Sequence, residues 1–267
     1  MSETLFVPEE HGLRVMDFSR LESFVEGQIL LIDKPLDWTS FDVVNKIRYH
    51  LRRALQVKKF KVGHAGTLDP LASGVLIVCT GKATKKIDLL QAQSKSYTAT
   101  IRLGASTPCL DAELPVDEWF DTGHISSQDM ERATRLWTGW IDQQPPQYSA
   151  KKVKGEKAYA VARKGGEVEL KSARVHIERF DLVATQPHRV DGHDVIDATV
   201  EIDCSKGTYI RSMARDLGQS LNVGGHLTGL QRTRNGAFSL EDCWSLEAVI
   251  QAIDDLTPAE QIKAVDV

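Results

Sequence analysis

Apolar and polar positions repeat along this chain with two periods, and the changes from one to the other mark out its elements. Residues 28–33 (Gln-Ile-Leu-Leu-Ile-Asp) form a short apolar run closed by Lys34 and Pro35, the pattern of a buried strand. Beyond it the period lengthens. Val43, Val44, Ile47, Leu51, Ala54 and Leu55 fall at helical spacing behind Ser40, a good capping residue. Residues 75–79 read as a strand, 82–91 as a helix and 97–103 as a strand. Ser126 or Ser127 caps a helix to about Trp137, and Pro145-Pro146 then breaks the chain. Residues 157–164 fit a short basic helix stopped by Gly165-Gly166. A strand follows at 175–183. Ile196, Ala198, Val200 and Ile202 then alternate with Asp197, Thr199, Glu201 and Asp203, which predicts a half-buried strand. An amphipathic helix over 208–221, a turn at Asn235-Gly236 and a helix over 245–253 complete the series. Residues 1–27 show no strong period and predict an irregular arm. Helices and strands mix without a βαβα rhythm, so the pattern predicts an α+β fold, with one main domain over 28–250 and an acidic tail over 251–267.

Composition alters this picture only through its distribution. The net charge of −4 argues against a polyanionic ligand if taken alone. Yet no acidic residue falls between Val43 and Leu68, where Lys46, Arg48, Arg52, Arg53, Lys58, Lys59 and Lys61 all lie. Lys151, Lys152, Lys154, Lys157, Arg163 and Lys164 form a second basic stretch opposed by Glu156 alone. Such segregation can make positive surface on a net-negative chain, although a charge run is more often a solvated helix face. Cys79, Cys109, Cys204 and Cys243 are far apart and have no metal-ligand spacing, which reads as reduced thiols of a cytosolic protein. The start lacks the pattern of a signal peptide, and no apolar run approaches the roughly 20 residues that span a bilayer.

The densest cluster of special residues is Gly-His-Ala-Gly-Thr-Leu-Asp-Pro at 63–70. It lacks the Gly-Lys-Ser/Thr ending of a phosphate-binding loop. Asp69 before Pro70 reads either as a helix N-cap with proline at the first helical position, or as a carboxylate in a glycine-rich loop that a substrate can approach closely. Taken singly, His64 reads as a turn residue, Tyr97 as a half-buried strand tyrosine, Arg211 as a solvated helix arginine and Leu230 as core.

Together these residues carry a resemblance. Residues 63–78, GHAGTLDPLASGVLIV, resemble the signature of the TruB family of pseudouridine synthases, whose catalytic aspartate falls on Asp69. LLIDKP (30–35) is similar to the family's N-terminal motif around Lys34. KSYTATIRLG (95–104) is similar to the segment of the active-site tyrosine, which falls on Tyr97, and CSKGTYIRSMARDLG (204–218) to that of the active-site arginine, on Arg211. GGHLTGLQRTRNGAF (224–238) resembles the last core motif, with its pocket leucine at Leu230. PPQYSAKKVKGEKAYAVARKG (145–165) looks like an RNA-gripping insertion, spanning 141–166 and offering Tyr148, Lys151, Lys152 and Lys154. The segment from Ser106 to Glu113 departs from the family's usual T-D-T-x-D-x-G.

The resemblance implies a pseudouridine synthase fold: a mixed, mainly antiparallel sheet flanked by helices and loops. It implies conversion of uridine to pseudouridine at position 55 in the T-arm stem-loop of tRNA. Neither cofactor nor metal is expected, since breaking the N1–C1′ bond, turning the base and joining C5 to C1′ involves no redox step. Asp69 would attack C1′ or stabilise positive charge there. Burial would favour a protonated carboxyl, and an arginine such as Arg211 would oppose this. Tyr97 offers a ring and a hydroxyl to the base, Leu230 packs on it, and Lys34 serves the active-site backbone. His64 falls to RNA binding rather than proton transfer. The expected enzyme is a cytoplasmic monomer without an obligatory protein partner, a membrane association or a C-terminal PUA domain. The competing readings are a non-catalytic RNA-binding protein on this scaffold, a hydrolase using Asp69 and His64, which lacks the required partners, and a guide-RNA-dependent relative.

Overall fold

The computed structural model describes residues 12–149, 151–153 and 155–256. The chain falls into two compact units: Met1–Gln93 with Gln231–Val267, and the intervening Ser94–Leu230.

In the first unit Gln28–Lys34 pairs antiparallel with Ala72–Thr80, from Ile29 opposite Cys79 to Lys34 opposite Gly74. Val62–His64 also pairs antiparallel with Ala72–Thr80. Successive strand residues point to opposite faces, and both faces are covered. Leu30, Ile32, Leu76 and Val78 join Val43, Val44, Ile47 and Leu51 of the helix Ser40–Ala54 and Leu246, Val249 and Ile253 of the helix Leu246–Asp254. Ile29, Leu31, Val75, Ile77 and Cys79 pack instead with Leu13, Ala83, Leu90 and Phe238. Burial on both faces explains why these strands read as unbroken apolar runs.

Residues 12–27 differ from the expected irregular arm. Arg14–Val15 pairs in parallel with Gln28 and Ile29, and Leu21 and Phe24 are buried around the helix Glu22–Glu26. A helix of five residues is too short to display a period, so its anchoring came from side chains the pattern could not flag. Residues 1–11 and 257–267 lie outside the described residues. Residues 251–254 continue the last helix rather than a tail. Ile253 is buried there, and Asp254 meets His50 Nδ1 at 2.8 Å.

The second unit is built on four strands paired antiparallel in the order Lys95–Leu103, His193–Cys204, Ala173–Val190 and Gly139–Gln143. The two long strands meet at Asp191-Gly192, both with positive φ (50° and 86°), as a two-residue hairpin turn requires. The predicted alternation holds: Ala198, Val200 and Ile202 are buried, while the other face carries acids bound by arginines. Arg102 holds Asp197 through two bonds of 2.8 Å, and Arg179 holds Asp203 at 2.8 Å. The helices Ser127–Leu136 and Ile210–Ser220 lie against these strands and each other. The fold is therefore α+β with a mostly antiparallel sheet flanked by helices, as expected. Gly225–Asn235, which the pattern did not mark as a strand, begins in this unit and ends in the first.

Candidate active site

Asp69 sits in the loop that links Val62–His64 to Ala72–Thr80, and nearly every peptide of that loop is tied down. Ala65 N donates to Ile77 O at 2.9 Å, and Ala65 O accepts from Asn235 Nδ2 at 3.2 Å. At Gly66 the chain turns with φ of 97°, a conformation that costs glycine little. The Arg232 guanidinium donates to Gly66 O at 3.1 Å and to Thr67 O at 3.5 Å. Ser40 Oγ accepts from Leu68 N at 2.8 Å and lies 3.0 Å from Leu68 O, to which it donates. Pro70 O accepts from Asp37 N at 2.9 Å and from Lys34 Nζ at 3.4 Å. Asp69 O accepts from Ala72 N at 3.0 Å, closing a turn that leads straight into a strand.

Two local expectations are thereby corrected. Asp69-Pro70 caps no helix, because strand pairing claims the chain from Ala72 onward. Ser40 is not the cap of its helix either. Thr39 is, in a reciprocal capping box with Asp42, and this leaves the Ser40 hydroxyl for Leu68.

Two buried cations bind the backbone of the loop. Lys34 and Arg232 rank among the largest fully buried side chains, at 0% and 1% exposure. Lys34 Nζ donates to Pro35 O and Trp38 O, both at 2.6 Å, besides Pro70 O. Burial pulls its pKa down to about 8, against the pull of Asp69, Asp37 and Asp33. Desolvating an ion costs several kcal/mol. Charge-assisted bonds of about 1.5–3 kcal/mol each offset only part of that cost, as the lowered pKa shows. Burial also lowers the pKa of His64, and the Arg232 charge adds to the effect, so its imidazole is neutral near pH 7. A half-buried carboxylate on a loop whose backbone is held by buried cations can meet positive charge developing on a substrate. Among the described residues no group of His, Cys, Asp or Glu could hold a metal ion.

The second unit places the remaining expected residues. Tyr97 lies on Lys95–Leu103 opposite Ile202, at 8% exposure. Arg211, in the first turn of Ile210–Ser220, is 6% exposed rather than solvated. It donates to Tyr148 O at 2.8 Å and Cys109 O at 3.1 Å, and pairs with Asp111 Oδ2 at 3.4 Å. Leu230 is half-buried on Gly225–Asn235. In the insertion, Lys151 O accepts from Ala158 N at 2.8 Å, ahead of the helix Ala158–Ala162. Lys152 belongs to Lys152–Val153, which pairs with Glu156–Lys157, and Lys154 lies outside the described residues. The structure thus gathers Lys34, His64 and Asp69 in the first unit, and joins Tyr148 to Arg211 in the second. Sequence reasoning missed Arg232, Asn235 and Asp111. Arg232 and Asn235 stand in the motif that carries Leu230, and Asp111 in the segment that departs from the family pattern.

A family model described as TruB family pseudouridylate synthase (N terminal domain) matches residues 52–210. The chain belongs to the TruB family. A model of the tRNA pseudouridylate synthase B C-terminal domain matches residues 211–265. A tRNA pseudouridine synthase B from Phocaeicola vulgatus is 51% identical over 232 residues, 87% of this chain and 95% of that protein. Its counterpart from Parabacteroides distasonis is 50% identical over 240 residues, 90% of this chain and 97% of that one. Among solved structures, a chain of a Cbf5-Nop10-Gar1 complex superimposes with a TM-score of 0.60 at 27% identity, over 86% of this chain. The match spans 56% of that chain, just over half its length. The protein is a TruB-type pseudouridine synthase.

Proposed function

We propose that this TruB-type enzyme isomerises uridine to pseudouridine at position 55 in the T-loop of tRNA, with Asp69 as its catalytic carboxylate. The observation that carries the reading is the Asp69 loop, tied through its backbone at residues 65, 66, 67, 68 and 70 within a TruB match. The tRNA substrate is supported by relatives named tRNA pseudouridine synthase B.

The target nucleotide leaves the RNA stack to reach Asp69. The N1–C1′ bond breaks as Asp69 meets the positive charge at C1′, as nucleophile or as counter-charge. The base turns and C5 bonds to C1′. The proton on C5 is lost and N1 is protonated, so the product is an isomer of the substrate. Tyr97 and Arg211 act as catalytic residues, Tyr97 through its ring and hydroxyl at the base. Leu230 packs on that base, Lys34 holds the Pro70 end of the loop, and neutral His64 positions RNA. Residues 28–250 form the catalytic region, in which the insertion 141–166, with Tyr148, Lys151, Lys152 and Lys154, grips RNA phosphates together with the basic helix Ser40–Ala54. The enzyme acts as a cytoplasmic monomer without a protein partner. Among the described residues, no helix is long and apolar enough to cross a membrane.

The test is to incubate the protein with an unmodified tRNA transcript and map pseudouridine by nucleotide, with Asp69→Asn in parallel. Modification confined to position 55, lost in Asp69→Asn while RNA binding persists, is the expected result. Tight binding without modification by the unmutated chain would overturn the reading in favour of an RNA-binding role.

A further inference from the structure

Arg232 is 1% exposed and among the largest fully buried side chains. Every bond it makes runs to a backbone carbonyl: Nε to Val75 O at 2.7 Å, Nη2 to Gly66 O at 3.1 Å and Nη1 to Thr67 O at 3.5 Å. Among the described residues no carboxylate pairs with it. An apolar side chain of similar volume would avoid the cost of desolvating the charge. What an apolar side chain lacks is a rigid fork of donors able to hold several acceptors at once.

Those acceptors have a particular placement. Val75 belongs to the paired strand Ala72–Thr80, whereas Gly66 and Thr67 belong to the loop, and Thr67 is two residues from Asp69. Arg232 therefore links a rigid strand to the peptides just before the carboxylate. Its own backbone is fixed as well. Gly74, at φ 98°, approaches so closely that a Cβ there would come within 2.2 Å of Arg232 O. Three residues on, Asn235 adds a second tie through Ala65 O.

We infer that Arg232 is a positioning residue for the isomerisation, its buried guanidinium setting the Gly66–Thr67 backbone so that the Asp69 carboxylate is held in the geometry the chemical step needs. This rests on the assignment of Asp69 made above. Lysine cannot reproduce the arrangement, since one ammonium cannot span the three carbonyls as a planar fork does. Misplacing a reacting group by about 1 Å costs on the order of 100-fold in rate.

The experiment measures the single-turnover rate of pseudouridine formation, the Kd for the tRNA transcript and thermal stability for Arg232→Lys, Arg232→Ala, Asn235→Ala and Asp69→Asn. Arg232→Lys is expected to lose about 100-fold in the chemical rate with its Kd within about threefold of the unmutated protein. Guanidinium ion added to Arg232→Ala is expected to restore part of the rate, which a merely destabilised fold would not show. If neither Arg232 variant folds, Asn235→Ala decides, with about a tenfold loss of rate at near-unchanged stability expected for a lesser tie to the same loop. A chemical rate kept by Arg232→Lys, or by Asn235→Ala where it alone folds, overturns the inference. So does a loss fully explained by the unfolded fraction. If Asp69→Asn keeps its rate, the assignment of Asp69 falls and takes this inference with it. If Asp69→Asn is dead and Arg232→Lys is active, only the inference falls.

Discussion

Replacing Ser40 with alanine should loosen the Asp69 loop at Leu68, and the effect can be worked out bond by bond. Ser40 is 1% exposed and Leu68 is 4% exposed, so water does not reach either end of their contact. The substitution leaves the Leu68 N–H, now 2.8 Å from the serine oxygen, without an acceptor, at a cost of about 1–3 kcal/mol. Losing the bond to Leu68 O adds about 1 kcal/mol. A total near 3 kcal/mol lowers Tm by about 6–12 °C at the 2–4 °C per kcal/mol usual for 150–250 residues. Thr39→Ala is the matched control. It removes the true helix cap, worth about 1 kcal/mol, and leaves Leu68 held. The two variants should also separate kinetically. Ser40→Ala frees the peptide next to Asp69 and should slow the single-turnover rate, whereas Thr39→Ala should lose stability alone. Equal losses of Tm in the two variants, or a Ser40→Ala enzyme with an undiminished chemical rate, would refute the account of this contact.

The depressed pKa of Lys34 predicts a chemical rate that falls with a midpoint near pH 8, as the ammonium loses its proton and its bonds to Pro35, Trp38 and Pro70 lose their charge. Lys34→Arg, which stays charged, should remove that alkaline limb in a pH–rate profile. Unfolding should not mimic the effect through this residue. Between about 8 and the ordinary 10.5 the unfolded chain binds more protons, so the contribution of Lys34 to stability rises with pH over that window. Asp111→Ala should cost about 3 kcal/mol in urea denaturation, at the low end for a broken buried pair because Arg211 keeps its bonds to Tyr148 O and Cys109 O. A loss below about 1 kcal/mol would show that Arg211 does not depend on Asp111.

Elements whose burial follows one period were legible in the sequence. Val43, Val44, Ile47 and Leu51 form the buried stripe their spacing predicts, and Ala198, Val200 and Ile202 alternate as expected. Asp191-Gly192 between two strand patterns is likewise a strong hairpin cue in the sequence. The anchoring of residues 12–27 was not legible, because Leu21 and Phe24 are buried by neighbours distant in sequence. Asp69 stood out through its glycines and proline, but its local pattern pointed equally to a helix cap. Arg232 was hidden for a different reason. A strand arginine looks the same in sequence whether it faces water or three carbonyls, and only the tertiary fold decides.

The first unit is made from two ends of the chain, and this sets an order on its birth. A ribosome delivers Asp69, Lys34 and Ser40 early, at about 5–20 residues per second. Arg232 and Asn235, and the helix Leu246–Asp254 that completes the core, emerge only after all of Ser94–Leu230 has been made. Until then the aspartate rides on a loop without two of its ties. Contacts across some 165 residues, such as Arg232 to Gly66, also fold late because the loop they close is long. A growing or prematurely terminated chain can thus display basic surface to passing RNA while lacking the scaffold for chemistry, and competence arrives as one of the last events of synthesis.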